Sequence, residues 1–380
     1  MTGPLAGVRV IDVGTRIAAP FCAGLLGEMG AEVIKVEDPD GGDFMRTIGP
    51  FGGPNKDYSL YWSVEGRGRK SVTLDLRKPE GQDLFRRLAA TADVVCENFR
   101  PGTLERWNIG PAELDPRLVT VRISVFGQDG PYSQRPGLDR MGIGYGGLMH
   151  LTGYPDQPPV RPGVTVSDYL TGAFAASAAV AALYARDARA SGQGAVIDAC
   201  LYGSVLRILE WTLAGYDKLG VVRGREGNRL ANSAPLDNYP TADDTFVCVV
   251  AGSDTNFRRL CKAMGRPELS SDPRFATLAQ RAAAGDELNG LVSAWTSSMT
   301  AANGLLIIPE SVARVAPGLH TLRPHCPARA HPRGTDPGLE PRHHATGGRG
   351  RRGAPGTRRQ HGGPHVAPER PGQVRAPLGA

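Results

Sequence analysis

Along the first 130 residues, short apolar runs alternate with stretches at helical spacing. Residues 7–14 (GVRVIDVG) form an apolar run closed by glycine, the pattern of a buried strand. Residues 20–30 carry Phe21, Leu25, Leu26 and Met29 on one helical stripe, and residues 31–37 (AEVIKVE) make a second apolar strand. Strand, helix, strand in this order predicts parallel pairing through a right-handed crossover. Residues 71–76 alternate as a strand. Residues 80–90 predict an amphipathic helix with Leu84, Leu88 and Ala89 inward. Residues 93–99 (DVVCENF) and 118–126 (LVTVRISVF) read as further strands, and residues 195–209 as a strand running into a helix.

The stretch 217–233 is polar and glycine-rich, which predicts a crossing between domains. Beyond it the pattern restarts as strand, turn, strand, with helices at 254–264 and about 286–295. The chain therefore predicts an α/β protein. A Rossmann-like large domain with a parallel sheet covers 1–220, and a smaller α/β domain covers 221–302.

Between 158 and 186 one carboxylate, Asp168, stands where an extended segment meets a long apolar helix. The run 173–185 is almost all Ala, Val, Leu, Phe and Tyr and carries no charge until Arg186. At 13 residues it is shorter than the roughly 20 a bilayer requires. Asp168 has two readings. It can cap the helix by accepting from free amides, or it can be an anion held in a dry cleft by those amides and the helix dipole.

The turn after the first strand, GTRIAAP, lacks the G-x-G-x-x-G glycines, which argues against a nicotinamide cofactor even though Glu37 ends the second strand. A Ser-His-Asp triad needs a histidine, and before residue 303 there is only His150, which reads as a packed core residue beside Leu148, Met149 and Leu151. The six cysteines, Cys22, Cys96, Cys200, Cys248, Cys261 and Cys326, show no C-x-x-C pair and read as free buried thiols. No basic segment followed by an apolar run opens the chain, so the expected location is cytoplasmic, away from membranes.

The net charge of +6 over 380 residues would suggest an anionic partner, but it belongs to the tail. Residues 303–380 hold 12 Arg, no Lys and four acids, so the first 302 residues carry −2. The same 78 residues contain 12 Pro, 13 Gly and seven His, with no Phe, Tyr or Trp. Such a composition predicts disorder. An arginine-rich nucleic-acid arm and a metal site around His343 and His344 are the alternatives, and no regular ligand spacing supports a metal. A GC-rich gene read in the wrong frame accounts best for Arg, Pro, Gly, Ala and His together. The reading frame is therefore expected to break near codon 302, in mid-domain.

Several stretches together resemble the family III CoA-transferases, which include formyl-CoA transferase and α-methylacyl-CoA racemase. They are residues 5–37, Gly41-Gly42-Asp43 with Arg46, residues 69–76, Asn98-Phe99-Arg100-Pro101-Gly102, residues 124–131, Gly147-Leu148-Met149 with Thr152-Gly153, and Pro158-Pro159-Val160-Arg161-Pro162-Gly163-Val164 before Asp168. The resemblance covers roughly 5–302. It implies that Asp168 is the catalytic carboxylate and that the N-terminal unit binds CoA rather than NAD. Ala18, Pro20, Lys35, Glu37, Arg46, Arg69, Lys70 and Arg100 are the CoA-binding candidates. Arg100, just past a parallel strand, suits a phosphate.

The implied reaction moves CoA from an acyl-CoA to a carboxylic acid through an aspartyl mixed anhydride and an enzyme–CoA thioester, with amides such as those of 224–227 holding the oxyanion. CoA would be a substrate, with no permanently bound cofactor, no metal and no nucleic-acid partner. Family racemases carry a histidine where this chain has Leu138, between Gly137 and Asp139, which favours transferase over racemase or epimerase. The chain has Ile17 where formyl-CoA transferases have glutamine, which argues against formate or oxalate. An inactive CoA-binding relative is the remaining alternative. The family forms interlocked homodimers whose C-terminal segment returns to the large domain. A chain lacking that segment is expected to fold poorly or lose dimerisation.

Overall fold

The short apolar runs fold into one parallel sheet with helices on both faces. The computed structural model describes residues 3–307 and 313–314. β1 (Arg9–Asp12), α1 (Ala18–Glu28) and β2 (Glu32–Glu37) form the first β-α-β unit. A hairpin of β3 (Phe51–Gly52) and β4 (Tyr58–Ser59) and then α2 (Leu60–Glu65) lead to β5 (Lys70–Thr73). α3 (Pro79–Ala89), β6 (Val94–Glu97), α4 (Thr103–Arg106) and β7 (Val119–Ser124) follow. Two short helices, α5 (Asp139–Tyr145) and α6 (Leu148–Leu151), precede the long α7 (Val166–Asp187). β8 (Val196–Cys200), α8 (Leu201–Arg207) and α9 (Thr212–Leu219) close this part.

The strand order is β5-β2-β1-β6-β7-β8, and every neighbouring pair is parallel. The chain runs one way from β1 and the other way from β6, so the order reverses between these two strands. Alternate residues enter opposite cores. Val10, Val94, Val119 and Val121 pack with α1 and α7, while Ile11, Val36 and Val95 pack with Phe85, Leu104 and Ile109. Burying each Val or Ile contributes about 1.5–3 kcal/mol, which fixes the face every strand residue takes.

Two helix faces differ from expectation. On α1 the small residues Ala18, Ala19, Cys22 and Ala23 are buried with Leu26, whereas Met29 is exposed. The cause is close approach to α7: a Cβ on Gly172 would lie 2.8 Å from the Ala18 carbonyl oxygen. Phe21 meets Tyr169 of α7 edge-on, with ring centroids 4.8 Å apart. On α3, Gln82, Phe85 and Ala89 form the buried stripe, and Leu84 points to solvent. α7 itself is 22 residues long, so the helix runs well beyond the apolar run. Its length and composition would allow it to cross a membrane, yet Ala175, Ala176, Ala179 and Leu183 pack into the core beside the sheet.

The second sheet is antiparallel. β9 (Leu236–Pro240) pairs with β10 (Phe246–Val250), over α10 (Asp254–Ala263), α11 (Leu278–Ala283) and α12 (Gly285–Thr296). α13 (Ala301–Ile307) follows, and β11 (Ala313–Arg314) pairs with β10. Elements thus continue past Ala302, as far as Arg314 among the described residues. The segment Ala301–Ile307 is apolar enough to continue the fold, although the composition count already starts to change within it. The rest of the tail expected to be disordered, 308–312 and 315–380, with the possible metal tract at His343 and His344, lies outside the described residues.

Candidate active site

The carboxyl ends of β1, β6, β7 and β8 open onto a cavity of about 530 Å³. In open parallel sheets ligands bind at this end, where the strand order reverses. Thr15, Arg16, Ile17 and Ala18 line it from the β1–α1 loop, Asn98, Phe99 and Arg100 from the loop after β6, Leu138 and Met141 from the start of α5, and Asp168 from α7.

Asp168 occupies the third position of α7. The helix N-cap is Thr165, and no side chain caps it from there. The capping reading of Asp168 is therefore not realised, because the residue sits inside the first turn rather than before it. No hydrogen bond from a described residue reaches its carboxylate. Burial raises its pKa to about 7, the negative charge of Asp139 adds to the rise, and the guanidinium of Arg16 opposes both. Arg16 adopts the left-handed conformation, φ 65°, and its guanidinium lies 4.0 Å above the Phe44 ring.

Two interactions shape the first loop. The side chain of Asn98 accepts from the Thr15 amide at 2.8 Å and donates to the Thr15 carbonyl at 2.8 Å. It ties the loop after β6 to the loop after β1. Beneath them lies a buried ion cluster. Asp12 accepts from the Gly14 amide at 3.0 Å and pairs with Lys35 and Arg69. Lys35 also pairs with Asp43 at 3.1 Å and donates to the Gly14 carbonyl. Gly14 must lack a side chain, since a Cβ there would lie 2.6 Å from that of Ala19.

The structure thus separates the CoA-binding candidates. Ala18 and Arg100 border the cavity with Asp168. Lys35 does not present itself to a phosphate: it is 1% exposed and neutralised by two aspartates. Arg69 is likewise buried, bonded to Asp12 and to the carbonyl of Pro20. Both instead brace the loop. Glu37 is bonded by Arg46 through two contacts of 2.7 and 2.8 Å, by Ser71 and by the Asp43 amide. Burial works against its charge, but these donors prevail and lower its pKa to about 2. Glu37 borders a second cavity of about 270 Å³ on the β2 side of the reversal, and Thr15 and Phe99 border both cavities.

Lys70 pairs with Glu32 at 2.5 Å and lies at the amino end of the sheet, on the wall of a larger cavity of about 930 Å³. That cavity is larger, but it faces the wrong strand ends for a parallel-sheet ligand. The loop 224–227 does not line the Asp168 cavity, and the Gly227 amide donates instead to the Gly153 carbonyl at 2.9 Å. His150 is exposed, because α6 turns Leu148, Met149 and Leu151 inward. Cys22, Cys96 and Cys261 are free and buried, and Cys200 and Cys248 are free and half-buried.

Sequence reasoning passed over Asn98, Arg16 and Asp139. Asn98 opens the quoted Asn98-Phe99-Arg100-Pro101-Gly102 stretch and Asp139 follows Leu138, so both stood in singled-out motifs without a role.

An open parallel sheet with a cavity at its strand reversal has the architecture of an α/β ligand-binding protein. The family model described as CoA-transferase family III matches residues 5–317, and the chain belongs to that family. The match runs beyond Ala302, in agreement with α13 and β11. The chain is 47% identical over 301 residues to succinyl-CoA–D-citramalate CoA-transferase of Chloroflexus aurantiacus, covering 78% of this chain and 74% of that protein. It is 38% identical to succinate–glutarate CoA-transferase of Agrobacterium fabrum, over 77% of this chain and 74% of that one. A CaiB/BaiF family protein from Brucella suis superposes with a TM-score of 0.71 at 36% identity, over 81% of this chain and 82% of the other.

Proposed function

We propose that the chain transfers CoA from an acyl-CoA to a carboxylic acid, with Asp168 as nucleophile. The observation that carries this reading is a carboxylate in the crevice that caps nothing and accepts no hydrogen bond from the described residues. It attacks the acyl carbonyl, the C–S bond breaks, and CoA leaves as the thiolate, which gives a mixed anhydride. The thiolate then attacks the aspartyl carbonyl, releasing the donor acid and forming an aspartyl–CoA thioester. The acceptor carboxylate repeats the two steps in reverse with its own acyl group. Each step exchanges one acyl–oxygen or acyl–sulfur bond for another, so no proton is consumed. The reaction requires a site that limits water, which would hydrolyse the anhydride. Leu138 on the same cavity wall offers no acid or base, which speaks against α-proton exchange.

CoA enters as a substrate. Its nucleotide lies along the paired cavities at Thr15 and Phe99, with Arg100 on a phosphate. Residues 1–220 form the CoA-binding domain, and residues 221–302 a smaller one. Both substrates are dicarboxylic acids, as the names of the two enzyme relatives suggest. Arg16 and Arg135 support this, because they border the cavity and form no ion pair with a described carboxylate. On this reading the protein works as a cytoplasmic homodimer.

The test is trapping. Incubation with succinyl-CoA and hydroxylamine should convert Asp168 to a hydroxamate, seen by mass spectrometry of its peptide. Asp168→Asn should lose the adduct and at least about a thousandfold in turnover. An adduct on another residue, or an Asp168→Asn enzyme that keeps a tenth of its turnover, would sink the assignment.

A further inference from the structure

The first turn of α7 has amides to satisfy and no side-chain cap of its own. The acceptor comes from another helix. Asp139, the first residue of α5, is buried, and its Oδ1 accepts from the Ser167 amide at 2.8 Å and from the Ser167 hydroxyl at 2.8 Å. The same hydroxyl lies 3.1 Å from the Asp139 carbonyl oxygen. Ser167 is wholly enclosed. One turn along α5, a Cβ on Gly142 would lie 2.6 Å from the Ser167 hydroxyl and 2.7 Å from the Leu201 Cβ. The start of α5 is therefore clamped onto the start of α7 with no slack, and the residue next to Ser167 is Asp168.

We propose that Asp139 is a positioning residue: through Ser167 it fixes the first turn of α7 and thereby aims Asp168 into the cleft. The proposal rests on Asp168 being the nucleophile. A cap borrowed from α5 differs from a local one, because it ties the nucleophile to the element that carries Leu138 and Met141 on the cavity wall. The pair also sets the chemistry of Asp168. The groups facing Asp168 are Asp139 from α5 and Arg16 from the β1–α1 loop; on its own helix, Tyr169 donates to Glu65 at 2.9 Å. Burial is the main cause of the raised Asp168 pKa, and the Asp139 charge is the second. A more basic carboxylate is the stronger nucleophile once ionised.

Two variants of the full chain separate positioning from mere support of the fold. Asp139→Asn keeps the size and the accepting oxygen but removes the charge, so the protein should fold. Asp139→Ala removes the acceptor. Asp139→Ala should lower kcat about a hundredfold with the KM for succinyl-CoA little changed. Asp139→Asn should retain most of kcat while the acid limb of kcat/KM moves to lower pH. A readout independent of turnover is carbodiimide labelling of Asp168 against pH, followed by peptide mass spectrometry. Its midpoint should fall in Asp139→Asn. Unmoved labelling midpoint and acid limb in Asp139→Asn would overturn the proposal. So would an Asp139→Ala enzyme with kcat at the wild-type level. Failure of the nucleophile reading shows separately, as turnover surviving in Asp168→Asn.

Discussion

A carboxylate that is half-buried, meets a second carboxylate and accepts no hydrogen bond weakens the fold that holds it. For Asp168 the sign is fixed by its raised pKa, about 7 against an ordinary value of 3.8. Between these values the folded chain keeps a proton that the unfolded chain has lost. Stability therefore falls as pH rises through this window, and the penalty is fully present above it. Asparagine at 168 carries no such penalty. Asp168→Asn should raise Tm at pH 8 by several degrees and by less at pH 5, measured by scanning calorimetry. An equal gain at both values would mean that ionisation of Asp168 costs the fold nothing. Asp168 could be picked out in the sequence because it is the one acid entering a helix of small residues. Its surroundings could not. Ser167 and Asp139 are 28 residues apart, and no local pattern announces a cap borrowed from another helix. Lys35 and Arg69 show the converse. As charged residues near a ligand-binding end they suggest phosphate contacts, yet the aspartates that neutralise them, Asp12 and Asp43, come from other segments.

At the level of elements, strand alternation was readable because each strand of a buried parallel sheet is a near-continuous apolar run. Helix faces were less so. On α1 the large residues suggested a stripe, but close packing against α7 selected the alanines. Which loops meet depends on strand order, and strand order is not local information. One amide side chain joins the two loops at the crevice. Asn98 makes two hydrogen bonds to the Thr15 backbone, replacing the pairing that β1 and β6 lose beyond their last residues. Removing it frees the loop that carries Arg16 and Ala18. Asn98→Ala should raise the KM for acyl-CoA roughly tenfold, as expected for the loss of about 1.5 kcal/mol of loop order. The protein should keep its Tm within a few degrees, because Asn98 is only half-buried. Steady-state kinetics together with a thermal melt check both halves. A large fall in Tm with an unchanged KM would make Asn98 a stability residue alone.

Over the whole molecule, one stretch of the described surface carries several strongly exposed apolar side chains. In and after α9, Tyr216 is 65% exposed, Leu219 77% and Val222 74%, and Leu213 and Trp211 also face solvent. So dense a cluster of large apolar side chains on a protein surface marks a contact surface. The charge division points the same way. A body of net −2 is followed by a stretch of +8 that contains no aromatic residue to cover such a face. The family match ends at 317. We expect the reading frame to shift near codon 302, and the DNA beyond it, read in another frame, to encode an apolar segment. Independent sequencing reads across that stretch decide it. A chain with the restored frame should bind a hydrophobic dye severalfold less than the 380-residue chain and scatter light as a defined dimer. Replacing Leu219 and Val222 with serine in the 380-residue chain should reduce its dye binding and self-association without adding activity. If every read supports the present frame and the chain is already a dimer with little dye binding, the exposed face is covered by a second copy, and no frame has been lost.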